Sequence, residues 1–120
     1  MPSRQTAPLV HVELHTANLG RACAFYTELF GWRAESVHLG EEAYLALRTG
    51  HGIEAGVVEE EDEGPWWLPY VEVPCVAAAT EAARALGGAV LLEPREGPAG
   101  WRSVVAAPGG GRAALWGPKT

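Results

Sequence analysis

The sequence predicts an α+β fold in which two paired βαβββ modules form a curved sheet with a cleft. The chain opens with a stretch whose apolar and polar residues alternate, as in a strand, and a helical pattern follows it directly. Residues 11–31 then align without a gap on residues 68–88, so strand, turn and helix occur twice. A long repeat in two copies indicates duplicated halves of one domain rather than a solenoid. The 120 residues are enough for one such domain.

The first strand, at about residues 9–16, has an apolar side and an ionisable side, because successive side chains of a strand alternate. The apolar side carries Val10, Val12 and Leu14, and the ionisable side carries His11, Glu13 and His15. A strand of this kind forms either the wall of a site or a solvated surface.

The rest of the first module, which covers about residues 8–58, contains one helix and three strands. Asn18 is a suitable N-cap for the helix, and Gly31 suits a left-handed C-cap. The strands are expected at about residues 32–38, 42–49 and 53–58, with a turn at Gly40. The helical spacing predicts one buried stripe, made of Leu19, Ala22, Cys23, Tyr26, Leu29 and Phe30.

An acidic linker at residues 59–65 is expected to separate the two modules. Residues 59–63 are all acidic and Gly64-Pro65 follows, which is typical of a solvated connection. The second module, at about residues 66–117, repeats the order of the first. Its strands are expected at about residues 66–73, 89–93, 101–107 and 112–116, its helix at 76–86, and a proline-glycine loop at 94–100.

Composition excludes several classes of function. The formal net charge is −6, and most of the acidic excess comes from residues 59–63, so no basic stripe suits nucleic acid. No apolar run is long enough to span a membrane, and the first residues lack an apolar export segment. Cys23 and Cys75 are too few for a disulfide framework and fit reduced thiols. We therefore expect a cytoplasmic protein that binds neither membrane nor nucleic acid.

Strand alternation predicts which side chains face the cleft. The first module contributes His11, Glu13, His15, Tyr44, Arg48 and Glu54, and the second contributes Leu68, Tyr70, Glu72, Ala114 and Trp116. Aromatic side chains at strand ends can pack a dimer seam or stack on a flat ligand. Both interpretations stay open for Trp66, Trp67 and Trp101, whereas Trp116 is assigned to the ligand. The predicted ligand-binding residues are Tyr44, Arg48, Tyr70, Glu72, Trp101 and Trp116.

Short motifs spread over residues 8–117 resemble those of one superfamily. The most specific are Leu9-Val10-His11-Val12, Asn18-Leu19, Arg21-Ala22, Phe25-Tyr26, Phe30-Gly31-Trp32, residues 82–88 and the turn Pro108-Gly109-Gly110. With these motifs the chain resembles the vicinal oxygen chelate superfamily, which includes glyoxalase I, bleomycin-resistance proteins, extradiol dioxygenases and methylmalonyl-CoA epimerase. The turn departs from the usual pattern, because Ala107 stands where an aspartate is common.

The resemblance implies where a metal ion would bind. In the metal enzymes of the superfamily the ligands come from the first and last strands of both modules, which implies His11, Glu54, Leu68 and Ala114 here. His11 and Glu54 suit a divalent ion such as Zn, Ni, Mn or Fe, whereas leucine and alanine coordinate nothing. Two protein ligands are fewer than the roughly three that a catalytic metal uses. No cofactor is therefore favoured, and a divalent metal is the alternative.

The sequence favours a metal-free binder of an aromatic or amphipathic small molecule, in the manner of bleomycin-resistance proteins. The alternative is a metal-dependent lyase, isomerase or dioxygenase that uses His11 and Glu54 with further ligands from a partner chain or the substrate. Glu54 can also act as the charge partner of His11 in a general acid–base pair. His11 can equally be a hydrogen-bonded histidine inherited with the fold. The resemblance implies a homodimer.

Overall fold

The computed structural model describes residues 6–39, 42–60, 66–97 and 100–118. The βαβββ order occurs twice along the chain, as predicted. The first set is β1 (Leu9–Thr16), α1 (Leu19–Phe30), β2 (Arg33–Leu39), β3 (Glu42–Arg48) and β4 (Glu54–Glu59). The second set is β5 (Trp66–Glu72), α2 (Val76–Ala85), β6 (Ala89–Glu96), β7 (Gly100–Ala106) and β8 (Arg112–Pro118). The predicted turn at Gly40 lies outside the described residues.

The described residues belong to two compact units. The first unit lies within residues 11–69, and the second lies within residues 70–120 together with residues 1–10. Neither α1, with 12 residues, nor α2, with 10, is long and apolar enough to cross a bilayer.

The strands of the first unit follow the order β2-β3-β4-β1. β1 runs parallel to β4, while the other neighbours are antiparallel. One face of this sheet packs on α1, because its apolar side chains alternate with the polar ones. The core of that face consists of Leu14, Cys23, Leu47, Ala55 and Val57, with Leu19, Ala22, Tyr26, Trp32 and Trp67 packed against it.

Both predicted caps of α1 are confirmed. The Asn18 side chain accepts a hydrogen bond from the Arg21 backbone N–H at 3.0 Å, and Gly31 ends the helix in a left-handed conformation with φ 72°. The predicted buried stripe is wrong in the last turn, where Leu29 and Phe30 are more than half exposed. The Phe30 ring packs instead on the ring of Trp32, which follows the helix.

The second unit contains residues 70–72 of β5, whereas residues 66–69 belong to the first unit. Its strands follow the order β5-β8-β7-β6, with β5 parallel to β8. α2 packs on this sheet and is joined to it by a buried hydrogen bond of 2.7 Å between the hydroxyl groups of Thr80 and Ser103. The loop predicted to begin at Pro94 is wrong, because β6 continues to Glu96. The register of β6 shifts between Leu92 and Arg95, and such irregularities tolerate a proline that cannot donate to its neighbour.

The first residue of the acidic run belongs to β4 rather than to the predicted linker. Glu59 is the last residue of β4, and its Oε2 accepts the backbone N–H of Leu19 at 3.0 Å, at the N-terminus of α1. Glu60 Oε2 contacts His15 Nδ1 at 2.7 Å. Glu59 at the end of β4 and Glu60 directly after it therefore have structural partners. Residues 61–65 lie outside the described part of the chain.

Candidate functional site

The ionisable side of β1 belongs to a polar face of the first unit, opposite the face that packs on α1. His11 pairs with Glu54 across the parallel strands β1 and β4. Arg48 of β3 lies between Glu54 of β4 and Glu35 of β2. Tyr44 shares the face of Arg48, because the two residues are four positions apart on one strand. The polar face of the first unit thus carries His11, Glu13, His15, Arg33, Glu35, Tyr44, Arg48 and Glu54.

Arg48 lies between two carboxylates but bonds to one of them. Its Nε donates to Glu35 Oε2 at 3.1 Å, while its Nη1 stays 3.9 Å from Glu54 Oε2. The bond to Arg48 lowers the pKa of Glu35, and the same bond raises the pKa of Arg48. The guanidinium is therefore held toward β2 rather than toward Glu54.

Glu54 keeps an unfilled acceptor position. Its Oε2 is buried, although the side chain as a whole is 38% exposed, and this oxygen has no hydrogen-bond partner among the residues described. The 3.9 Å approach of Arg48 is too long for a hydrogen bond.

His11 is half-buried beside Glu54. Burial lowers the pKa of His11, and this effect outweighs the carboxylates of Glu13 and Glu54, which raise it. The imidazole lies over Gly56: a Cβ at that position would be 3.0 Å from Nε2 and 3.3 Å from Cε1. Gly56 therefore leaves the room that the ring occupies, and the lowered pKa of His11 favours the neutral form of the ring.

Acidification is expected to destabilise the protein through His11. Since the folded-state pKa lies below the ordinary 6.5, the unfolded chain binds more protons than the folded chain between the two values. The free energy of unfolding should therefore fall as the pH drops through 6.5, and His11→Gln should lack this part of the loss. Urea unfolding at about pH 8 and about pH 5 measures it. A loss as large in His11→Gln as in the unmodified protein would contradict the prediction.

His15 has a structural role on the same face. Its Nε2 contacts Glu13 Oε1 and its Nδ1 contacts Glu60 Oε2, both at 2.7 Å, and its ring stacks on Trp66 with centroids 4.6 Å apart. Trp66 is thus used in packing within its own unit. Trp67 is too, because its ring meets Tyr26 edge-on at 5.4 Å.

In the second unit, Tyr70 pairs with Ala114 and Glu72 pairs with Trp116 across β5 and β8. Tyr70 is buried and Glu72 is exposed. Arg102 of β7 pairs with Trp116, and its Nη1 donates to the Tyr70 hydroxyl at 2.7 Å. Sequence reasoning missed Arg102, although alternation from a correctly registered β7 would have found it.

The structure does not bring Trp101 together with Trp116. Trp101 pairs with Gly117, one residue beyond Trp116, so the two indoles lie on opposite faces of the sheet. Trp101 shares its face with Ser103, which contacts α2, and its side chain is 41% exposed. Trp101 and Trp116 therefore cannot line the same face of this sheet.

The internal repeat corrects one of the implied metal positions. Tyr70, the repeat partner of Glu13, pairs with Ala114, whereas Glu13 itself pairs with Gly56. The repeat thus matches Ala114 with Gly56, and Glu54 lies two residues before that position.

The side chains at the implied positions do not fit a divalent cation. With Gly56 in the place of Glu54, His11 is the one implied position with a metal-ligating side chain. Gly56 has no side chain, and Leu68 and Ala114 are buried hydrocarbon. Across the described ranges, no group of three or more His, Cys, Asp or Glu side chains is arranged to hold a metal ion.

Comparisons with known proteins identify the family and the fold. The family described as a Glyoxalase-like domain matches residues 11–116. A hypothetical protein from Bacillus halodurans C-125 is 14% identical, with 97% of each chain covered and a TM-score of 0.67. Methylmalonyl-CoA epimerase from Mycobacterium tuberculosis is 19% identical, with 93% of this chain and 88% of that chain covered and a TM-score of 0.59.

A mutant of 4-hydroxymandelate synthase from Streptomyces coelicolor is 18% identical over 93% of this chain and 38% of its own, with a TM-score of 0.61. At these identities the solved structures show the fold alone. No curated protein matches the chain. The resemblance to the vicinal oxygen chelate superfamily is confirmed, and the chain belongs to the Glyoxalase-like domain family.

Proposed function

We propose that the polar face of the first unit binds a small organic molecule without a resident metal ion. The observation that supports this function is the pair of His11 and Glu54, which lie in register on neighbouring strands, with Gly56, which has no side chain that could hold a cation, next to the imidazole. A half-buried neutral imidazole next to an incompletely bonded carboxylate is suited to hydrogen bonding with a polar ligand group.

The ligand we propose is aromatic or amphipathic. Tyr44 supports this choice, because it lies on the polar face of the first unit with its side chain 44% exposed. A ring presented in this way can stack on a flat ligand group while neighbouring polar side chains fix its orientation. In the second unit, Trp116 and Arg102 share a face and offer a similar combination.

Binding is tested by titrating the protein with planar aromatic compounds in the presence of EDTA, with amide chemical shifts as the readout. We expect saturable binding that shifts the amides of residues 54–56. Tyr44→Ala should weaken it about tenfold, because an aromatic contact is worth on the order of 1 kcal/mol. Phe25→Ala is the matched control, since Phe25 is an exposed ring on α1, across the sheet from the polar face. Equal losses in the two variants would contradict the assignment of the site.

A second candidate function is proton transfer by an enzyme. The neutral state of His11 favours it, because a neutral imidazole can take a proton from a bound substrate while Glu54 stabilises the imidazolium that forms. The metal-dependent form of this candidate needs further ligands from a partner chain or the substrate. A rise in melting temperature with Zn, Ni, Mn or Fe that His11→Ala abolishes would support that form.

We further propose a homodimer in the cytoplasm. The family resemblance supports the dimer, and the two cysteines, which are both free thiols, fit a reducing compartment. Sedimentation velocity tests the oligomeric state, and a monomer at micromolar concentration would contradict it.

A further inference from the structure

We infer that Glu54 selects a ligand that carries a protonated amine. This inference rests on the proposed binding function and adds to it the chemical class of the ligand. It starts from the contrast between the two carboxylates on either side of Arg48, Glu35 and Glu54.

Glu35 is already satisfied. Its Oε2 accepts the Arg48 Nε at 3.1 Å, and the guanidinium of Arg33 adds a favourable charge from the same strand. Glu54 receives less: the guanidinium of Arg48 stays at 3.9 Å, and Oε2 accepts no hydrogen bond within the described residues. A carboxylate oxygen that is removed from water without a donor destabilises the folded protein. A ligand that supplies the donor recovers this free energy.

Glu54 is also able to turn toward a ligand. Rotation about the inner side-chain torsions of Glu54 moves the whole carboxylate toward the open side, and this movement breaks no hydrogen bond of Oε2, because that oxygen makes none within the described residues. The side chain is 38% exposed, so the carboxylate has an open side to which a ligand has access. Glu35 would have to give up Arg48 to make the same movement.

An ammonium group suits this carboxylate better than a neutral or an anionic group. Charge-assisted hydrogen bonds are about twice as strong as neutral ones, and an ammonium has three N–H donors. An anion would be drawn to Arg48 and repelled by both carboxylates. The positive charge of Arg48 therefore opposes the binding of an amine at Glu54. Removing this charge should strengthen amine binding, and the direction of that change is diagnostic.

The experiment compares benzylamine, benzyl alcohol and benzoate, which present one ring with a cationic, a neutral and an anionic group. At low salt we expect benzylamine to shift the amides of residues 54–56 and to bind about tenfold more tightly than benzyl alcohol. Glu54→Gln should remove this preference. Glu28→Gln on α1 is the charge-matched control and should keep it. Arg48→Met should tighten benzylamine binding, which a purely structural role for Arg48 would not produce.

The outcomes distinguish the selection of an amine by Glu54 from the ligand-binding function on which this inference rests. If benzoate binds on this face more tightly than benzylamine, or if Glu54→Gln keeps the preference for the amine, the inference is wrong and the binding function stands. If none of the three compounds shifts residues of the first unit, the binding function is contradicted, and this inference with it.

Discussion

Replacing Leu47 by alanine should lower the free energy of unfolding by about 2–5 kcal/mol. Leu47 has an exposed fraction of 0% and packs with Leu14, Ala55 and Val57 under α1. Its truncation removes about three buried carbon atoms and leaves a cavity that the rigid strand β3 cannot close. Urea denaturation monitored by circular dichroism measures the loss.

The matched control is Leu29→Ala, the same substitution in the last turn of α1. Leu29 is 58% exposed, so its truncation should change the free energy of unfolding by about 0.5 kcal/mol or less. Comparable losses for the two leucines would show that the core of the first unit is not where the structure puts it.

Replacing Thr80 by valine should cost the protein about 1–3 kcal/mol although the shape of the side chain is kept. The Thr80 hydroxyl donates to the Val76 carbonyl and accepts from Ser103, and the two hydroxyl-bearing residues have exposed fractions of 1% and 0%. The substitution leaves the Ser103 hydroxyl buried without its acceptor. The Val76 carbonyl still has the backbone N–H of the α2 helix.

A double-mutant cycle isolates the bond between Thr80 and Ser103. Thr80→Val with Ser103→Ala removes both hydroxyl groups and leaves no unpaired group, so the double variant should lose less stability than the two single losses together. Strict additivity within about 0.5 kcal/mol would show that the two hydroxyl groups do not depend on each other.

The elements of the fold could be predicted because they depend on local signals. Alternation identified β1 and its two sides, and Asn18 and Gly31 marked the ends of α1, since a cap needs only its own turn of backbone. The gap-free repeat predicted the same order of strands and helix for the second module. The prediction of a loop at Pro94 is wrong, because a bulge that accommodates a proline leaves no local signal in the sequence.

The candidate site could be predicted in part, because faces follow from alternation whereas registers and long-range contacts do not. His11, Arg48 and Glu54 share a face as expected. The residue of β4 that matches Ala114 in the internal repeat depends on the strand register, which loop lengths fix. The structure gives Gly56 at this position, two residues after the expected Glu54.

Contacts between distant residues were missed for the same reason. The contact of His15 with Glu60 joins residues 45 positions apart, and the acidic run by itself gives no sign of it. The sequence named Trp101 for the site and left out its neighbour Arg102, because no local signal shows which face of β7 lies beside Trp116.

The central claim is that the polar face of the first unit binds its ligand without a metal ion. The most direct test measures the affinity of one aromatic ligand for protein dialysed against EDTA and for protein resupplied with Mn, Fe, Ni or Zn, with the metal content determined for each sample. We predict equal affinities and no ion held stoichiometrically. One ion per chain that is required for binding and is lost in His11→Ala would contradict the claim.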